Sequence, residues 1–275
     1  MIPKYFDIHS HLNSVKFDED REEVIDKMLE NGVSTIVIGT DLETSKQAVS
    51  LADKYENIYA CIGVHPVDDP TIVFDEEAFE ELVRHPKVVA VGECGFDFFR
   101  TPRSFGEVGQ LEYERQKKLF LDQIEFAVKH NKSIMIHSRD ASLELLEILE
   151  PLKKVHGDKL RGNIHFFTYS LEIAQRFFAI GFTVSFTGVI TFPPAPDLKG
   201  GRAGSKDYDE VVKNAPLDMI MAETDSPYVA PEPYRGKRNE PNFVLEVYKK
   251  IAEIRGEDEE LVRNQLVNNA LRMIR

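Results

Sequence analysis

Short apolar runs alternate along the chain with longer segments whose apolar residues recur at helical spacing. The first run, residues 5–11, reads Tyr-Phe-Asp-Ile-His-Ser-His and predicts a strand. Residues 18–31 predict a helix, with Val24, Ile25, Met28 and Leu29 on one face and Gly32 as its stop. Further strands are predicted at 34–39, 58–64, 88–93, 133–137, 162–166, 183–186 and 218–223. Helices are predicted at 42–55, 74–84, 111–131, 141–155 and 171–180, and two more close the chain at 241–255 and 257–274. A loop at 96–109 precedes the longest helix. Near-continuous apolar strands separated by helices imply a parallel sheet buried on both faces. Eight such units match a single-domain (β/α)8 TIM barrel spanning 1–275, with an open doubly wound sheet as the alternative. The polar residues favour the barrel. Almost every strand ends on a group able to do chemistry, and in such barrels the active site lies at the C-terminal strand ends.

Composition changes this picture little. The 275 residues are 42% hydrophobic and 29% charged, enough for a sizeable core in a soluble protein. The formal net charge of −13 and pI of about 5.2 argue against a protein that coats nucleic acid non-specifically. They leave room for a nucleic-acid substrate met at a locally basic or metal-loaded cleft. Two cysteines, Cys61 and Cys94, without a paired motif suggest a reducing compartment. No run suits a membrane span, and the first residues lack the shape of a signal peptide, so a cytoplasmic location is expected. Residues 193–205, rich in Pro and Gly, follow the seventh strand and suit either a mobile lid or a surface insertion.

The strand ends carry the candidate chemistry. His9 and His11 are two apart, so an extended strand presents both imidazoles on one face, with Phe6 and Ile8 on the other. Such a pair suits a transition metal, although buried, hydrogen-bonded histidines remain the alternative. Glu93 ends a run of valines, where an uncompensated carboxylate would be costly. His137 and His165 end apolar runs in the same way. Asp41 and Thr187 also follow strands. Asp225 precedes Ser226 and Pro227, and alone would suit a helix cap. Together His9, His11, Glu93, His137, His165 and Asp225 form a cluster able to hold two metals. His65 has the right position but is surplus to that set, so a phosphate contact or proton transfer is expected of it. Cys94 should face away from the barrel axis as packing. His85, His130 and His156 fall on helices or their ends and receive no function.

The motifs Phe-Asp-Ile-His-Ser-His, Gly-Val-His-Pro, Val-Gly-Glu-Cys-Gly-Phe-Asp-Phe, Ile-His-Ser-Arg-Asp, Glu-Thr-Asp-Ser-Pro-Tyr-Val-Ala-Pro and Arg-Gly-Lys-Arg-Asn-Glu-Pro, in this order along the whole chain, resemble the TatD family of metal-dependent nucleases. The resemblance implies a two-metal phosphodiesterase acting on DNA from the 3′ end, on single strands or 3′ ends. By it, His9, His11, Glu93 and Asp225 hold one divalent ion. Glu93 bridges to a second, held also by His137 and His165. His65 lies near the scissile phosphate, and Glu223 and Arg139 support the site. The family's His-Cys-Phe-Ser-Gly-Ser is replaced by His165-Phe166-Phe167-Thr168-Tyr169-Ser170, which narrows the pocket on that side. A bridging Glu93 favours the TatD type over relatives that bridge metals with a modified lysine.

In such a centre Glu93 and Asp225 are the catalytic carboxylates, with Asp225 orienting or deprotonating the water. The His/carboxylate set suits Zn, Mn or Fe, with Mg possible on the more oxygen-rich side. Cations expected at the mouth are Arg100, Arg103, Arg139, Lys199, Arg202, Lys206, Arg235, Lys237 and Arg238, the last three as a phosphate-binding loop. Phe98, Phe99, Tyr228 and Tyr234 are candidates to stack on bases. The competing readings are another amidohydrolase-type hydrolase of a small ester, amide or phosphoester, and a binding barrel that keeps the metals without turnover.

Overall fold

The structure is a computed structural model. It describes residues 2–99, 104–193 and 205–275, with backbone alone for 205–207. Eight strands form one parallel sheet in chain order: β1 (Tyr5–Ser10), β2 (Val33–Ile38), β3 (Ile58–Ile62), β4 (Val88–Asp97), β5 (Ser133–Arg139), β6 (Gly162–Ile164), β7 (Thr183–Phe186) and β8 (Ile220–Ala222). Beyond β8, the N–H of Asp225 donates to His9 O (2.9 Å) and that of His11 to Ser226 O (2.7 Å). These bonds bring the first and last strands together and nearly close the barrel. The helices are α1 (Arg21–Asn31), α2 (Leu42–Lys54), α3 (Glu76–Val83), α4 (Gly106–Lys129), α5 (Ser142–His156), α6 (Leu171–Ala179), α7 (Ser205–Asn214), α8 (Val244–Arg255) and α9 (Glu259–Met273). None of the described helices is long and apolar enough to cross a membrane.

Two apolar clusters follow from the strand alternation. The larger lies between the strands and the helices, and includes Val37, Ala60, Ile62, Val91, Ile136 and Phe186 with Phe120, Leu146, Phe177 and Ile251. The smaller fills the lumen. It joins Phe6 and Ile8 to Ile36, Ile38, Cys61, Met135 and Met221, and its helical members, Ala270 and Met273, come from α9. Ser133, at the start of β5, donates its hydroxyl to Met273 O (2.8 Å), so α9 plugs the N-terminal end of the barrel. Burying a side chain such as Phe6 is worth roughly 1.5–3 kcal/mol. Cys94 packs with the outer cluster, as expected of it.

Three elements depart from the sequence expectation. β4 does not stop at Glu93. Its pairing with β5 slips between Val91 and Cys94 and resumes as far as Asp97 opposite Arg139. Helix α4 starts at Gly106, five residues before its clear apolar periodicity. Helix α7 has no counterpart among the predicted elements: it is short and polar, it follows the Pro/Gly-rich stretch, and it buries Val211 and Val212. Residues 194–204, most of that stretch, lie outside the described residues. Asp41 and Thr187 are cap residues. Asp41 accepts from Thr44 N (2.7 Å) in the capping box of α2, and Thr187 accepts from Val189 N (3.4 Å).

Candidate metal centre

Glu93 stands at the centre of the polar end of the lumen and is only 3% exposed. Two glycines press its strand onto β5. A Cβ on Gly92 would lie 2.3 Å from Met135 O, and one on Gly95 would lie 2.1 Å from His137 O. Both also have φ near +140°, which an L side chain rarely adopts. Opposite, simple alternation on β1 does not hold: its pairing with β2 is irregular between Asp7 and Ser10. The buried Asp7 carboxylate accepts from His9 N (3.2 Å), Thr224 N (2.8 Å) and Thr224 Oγ1 (2.7 Å), tying this bend to the end of β8. Asp225 then lies at φ 54°, a left-handed conformation that persists where its surroundings impose it.

The two carboxylate oxygens of Glu93 face different donors. On one side, Oε2 lies 3.4 Å from His9 Nε2 and 3.8 Å from His11 Nε2. Asp225 Oδ1 is 3.7 Å from His9 Nε2 and 3.4 Å from His11 Nε2, and the two imidazole nitrogens are 3.3 Å apart. On the other side, Oε1 lies 2.7 Å from His137 Nδ1, 2.7 Å from His165 Nε2 and 3.6 Å from His65 Nε2. Ligands around a tetrahedral ion at about 2.1 Å are separated by roughly 3.4 Å. The separations of His9 Nε2 and His11 Nε2 from each other and from Glu93 Oε2 and Asp225 Oδ1, 3.3–3.8 Å, are close to that spacing. The set's soft-to-borderline nitrogen and hard oxygen donors also suit a divalent ion, so the residues fit the group.

The charges are mutually dependent. Burial opposes ionisation of Glu93, but His165, His65 and His137 outweigh it and hold its carboxyl well below the usual range. Burial likewise opposes the ionisation of Asp225, and His11 and His9 outweigh it, so this carboxyl too is lowered. Burial disfavours imidazolium at His165, His137 and His11, yet the facing carboxylates raise all three, His165 most. At His9 burial prevails, helped by His165, and the value falls. Asp7, with no cationic partner among the described residues, is pushed well up by burial.

A layer of acids stands behind the imidazoles. Asp97 Oδ2 lies 3.2 Å from His137 Nε2, and Asp68 Oδ1 lies 2.8 Å from His65 Nδ1. Glu223 is fully buried. It accepts from Phe166 N (2.5 Å) and Ser185 Oγ (2.7 Å), and Oε1 is 3.7 Å from His165 Nδ1. It therefore backs an imidazole and is not exposed to a substrate. Asp7, Asp68 and Asp97 carry no role that the sequence reveals. For Asp97 a signal exists: it lies four residues beyond Glu93, on the same face once the strand is extended that far.

A TatD related DNase family model matches residues 6–275. The chain belongs to the TatD family. It is thereby a metal-dependent hydrolase acting on ester bonds. It is 37% identical over 274 residues, 98% of each chain, to the uncharacterized metal-dependent hydrolase YabD of Bacillus subtilis. It is 35% identical over 263 residues, 92% of each chain, to the 3′-5′ ssDNA/RNA exonuclease TatD of Escherichia coli K12. Among solved structures, YjjV, a TatD homologue from E. coli K12, superposes with a TM-score of 0.84 at 28% identity, covering 100% of this chain and 99% of that one.

This TatD-family barrel opens above Glu93 into a cavity of about 1640 Å³. Of the cations expected there, Arg139 and Arg235 line it. Arg139 stacks on the ring of Phe99 at 3.8 Å and Arg235 on that of Phe192 at 4.3 Å. Lys237 is exposed but outside the lining. Arg238 is occupied elsewhere: it donates to both oxygens of Asp20 (2.7 and 2.6 Å) and to Lys16 O (2.8 Å), and pairs with Glu240. The loop 235–238 is thus not one phosphate-binding unit, because its last guanidinium anchors the loop to the start of α1. Arg100, Arg103, Lys199, Arg202 and the side chain of Lys206 lie outside the described residues. Phe98 is buried and Tyr234 stacks on Phe243 at 3.9 Å, which leaves Phe99 and Tyr228 as the exposed rings of the expected four.

Proposed function

We propose that this TatD-family enzyme is a two-metal phosphodiesterase that removes nucleotides from the 3′ end of single-stranded DNA. The observation that carries the reading is Glu93, whose two oxygens each face a separate set of donors. His9, His11, Asp225 and Glu93 Oε2 would hold one ion; Glu93 Oε1, His137 and His165 would hold the other. Two bound divalent ions supply a nucleophilic water at neutral pH and neutralise charge on the phosphoryl oxygens. The chain's own groups do the rest. Asp225, ionised because its histidines outweigh its burial, orients the attacking water and accepts its proton. Arg139 and Arg235 hold the flanking phosphates from the cavity wall. Phe99 and Tyr228, 43% and 49% exposed, line the cavity with Arg139 and Lys16 over their rings, and this aromatic and cationic surface suits an unpaired strand.

The likeness to an enzyme named as a 3′-5′ ssDNA/RNA exonuclease supports this substrate class. The acidic net charge favours a strand threaded into a local site over one bound across the surface. The test is a panel of single-stranded DNA, duplex DNA, RNA, a generic phosphodiester and a carboxylic ester, run with the metal-reconstituted enzyme. Stepwise shortening of 5′-labelled single strands, with a 3′ label released at the first turnover, is expected to dominate. Hydrolysis of the carboxylic ester with every phosphodiester left intact would overturn the reading in favour of another amidohydrolase-type activity.

A further inference from the structure

The sequence leaves His65 as a surplus histidine beside the substrate, but its surroundings match those of the other imidazoles at Glu93 Oε1. Each has one ring nitrogen toward Glu93 and the other toward an acid. For His137 the pair is Glu93 Oε1 at 2.7 Å and Asp97 Oδ2 at 3.2 Å. For His165 it is Glu93 Oε1 at 2.7 Å and Glu223 Oε1 at 3.7 Å. For His65 it is Glu93 Oε1 at 3.6 Å and Asp68 Oδ1 at 2.8 Å. An acid behind the ring is the usual support of a metal-ligating imidazole, because it fixes the tautomer and the ring plane.

The placement of the ring makes the case sharper. His65 Nδ1 faces the Asp68 carboxylate at 2.8 Å and is approached by the N–H of Val67 at 3.4 Å, which leaves Nε2 directed toward Glu93. Nε2 and Glu93 Oε1 stand 3.6 Å apart, too far for a hydrogen bond and close to the separation of two ligands on one ion. His65, Glu93 and His137 also bring one ligand atom each within 4.8 Å of one another. The backbone holds the ring there, since His65 N donates to Thr40 O at 2.8 Å.

We propose that His65 is a third imidazole ligand of the second metal, and that Asp68 is the positioning residue that orients it. The inference rests on the two-metal reading. It gives the two sites different characters. The first has two imidazoles and an aspartate beside Glu93; the second has three imidazoles and no further carboxylate. The second site is therefore the less anionic one and favours borderline ions such as Zn²⁺ or Co²⁺ over Mg²⁺.

The test is calorimetric titration of the metal-free chain with Co²⁺, read together with the visible absorption of each bound equivalent. The wild type is expected to take up two equivalents. In Asp68→Asn the second should bind about 10–100-fold more weakly and the first unchanged, as for loss of an orienting carboxylate elsewhere. In His65→Asn the second equivalent should weaken at least as much, and its absorption bands should shift. Asp68→Asn keeps the imidazole, so it carries the test alone if His65→Asn does not fold. Second-step affinity and absorption equal to wild type in the folded variants would overturn the inference while leaving two metals in place. Uptake of a single equivalent by the wild type would instead remove the two-metal reading, and this inference with it.

Discussion

The two ends of the lumen are built from the same strands and behave oppositely. At the N-terminal end Phe6, Ile8, Ile36, Ile38, Met135 and Met221 fill the space and α9 seals it. A few residues further along the same strands, His9, Glu93, His165 and Glu223 are buried together, with carboxylates facing one another through imidazoles. The lower end is an ordinary apolar core whose burial stabilises the barrel. The upper end gathers groups that a core would exclude. Stability is made where the chemistry is absent, so substitutions at the two ends should separate fold from function.

The largest separation is expected from Glu93→Gln. It keeps the shape and removes the charge shared by both donor sets. Turnover should fall by orders of magnitude while the melting temperature changes little. Substantial turnover by a folded, metal-loaded variant would break the contrast. The converse is Phe6→Ala, expected to cost about 3–5 kcal/mol of stability in denaturant melts while turnover per folded molecule stays close to wild type. Asp97→Asn sits between these extremes. With His137 no longer held by an ionised acid, metal affinity should drop about 10–100-fold with little loss of stability, as titration would register.

Smaller effects are expected at the rim. Arg235→Ala should raise KM on single-stranded DNA and make its salt dependence shallower, by about 0.7 in logarithmic slope for each phosphate that is no longer neutralised. Arg238→Ala should leave KM alone and lower stability by at most about 1 kcal/mol. That loss has a defined pH dependence. Hydrogen bonding to Arg238 holds the Asp20 carboxyl below its usual value of 3.8, so the stabilisation is present above that pH and disappears as pH falls through the lowered value. Wild type and Arg238→Ala should therefore converge in stability in acid.

The sequence is most readable where a polar group ends an apolar run. His9, Glu93, His137, His165 and Asp225 stand out for that reason, and the fold brings them together. It is least readable where partners are distant or strands continue past their apolar part. Arg238 reads as part of a basic loop because Asp20, which binds it, is 218 positions away. Asp97 reads as loop because β4 leaves its valine run before reaching it. Asp68, in Val67-Asp68-Asp69-Pro70, looks like turn chemistry, and only the folded loop shows its carboxylate 2.8 Å from His65 Nδ1. Helix α7 carries too few apolar residues to announce itself.

The shared role of Glu93 is tested most directly by counting metal. The metal-free chain is reconstituted with excess Zn²⁺ or Mn²⁺, freed of loose ions and analysed for metal per chain, wild type beside Glu93→Gln. About two ions per wild-type chain are expected, with both depleted in the variant, because each donor set loses a charged oxygen. Two ions held undiminished by folded Glu93→Gln, or a wild-type ratio that stays near zero with every metal tried, would contradict a dinuclear centre built on this carboxylate.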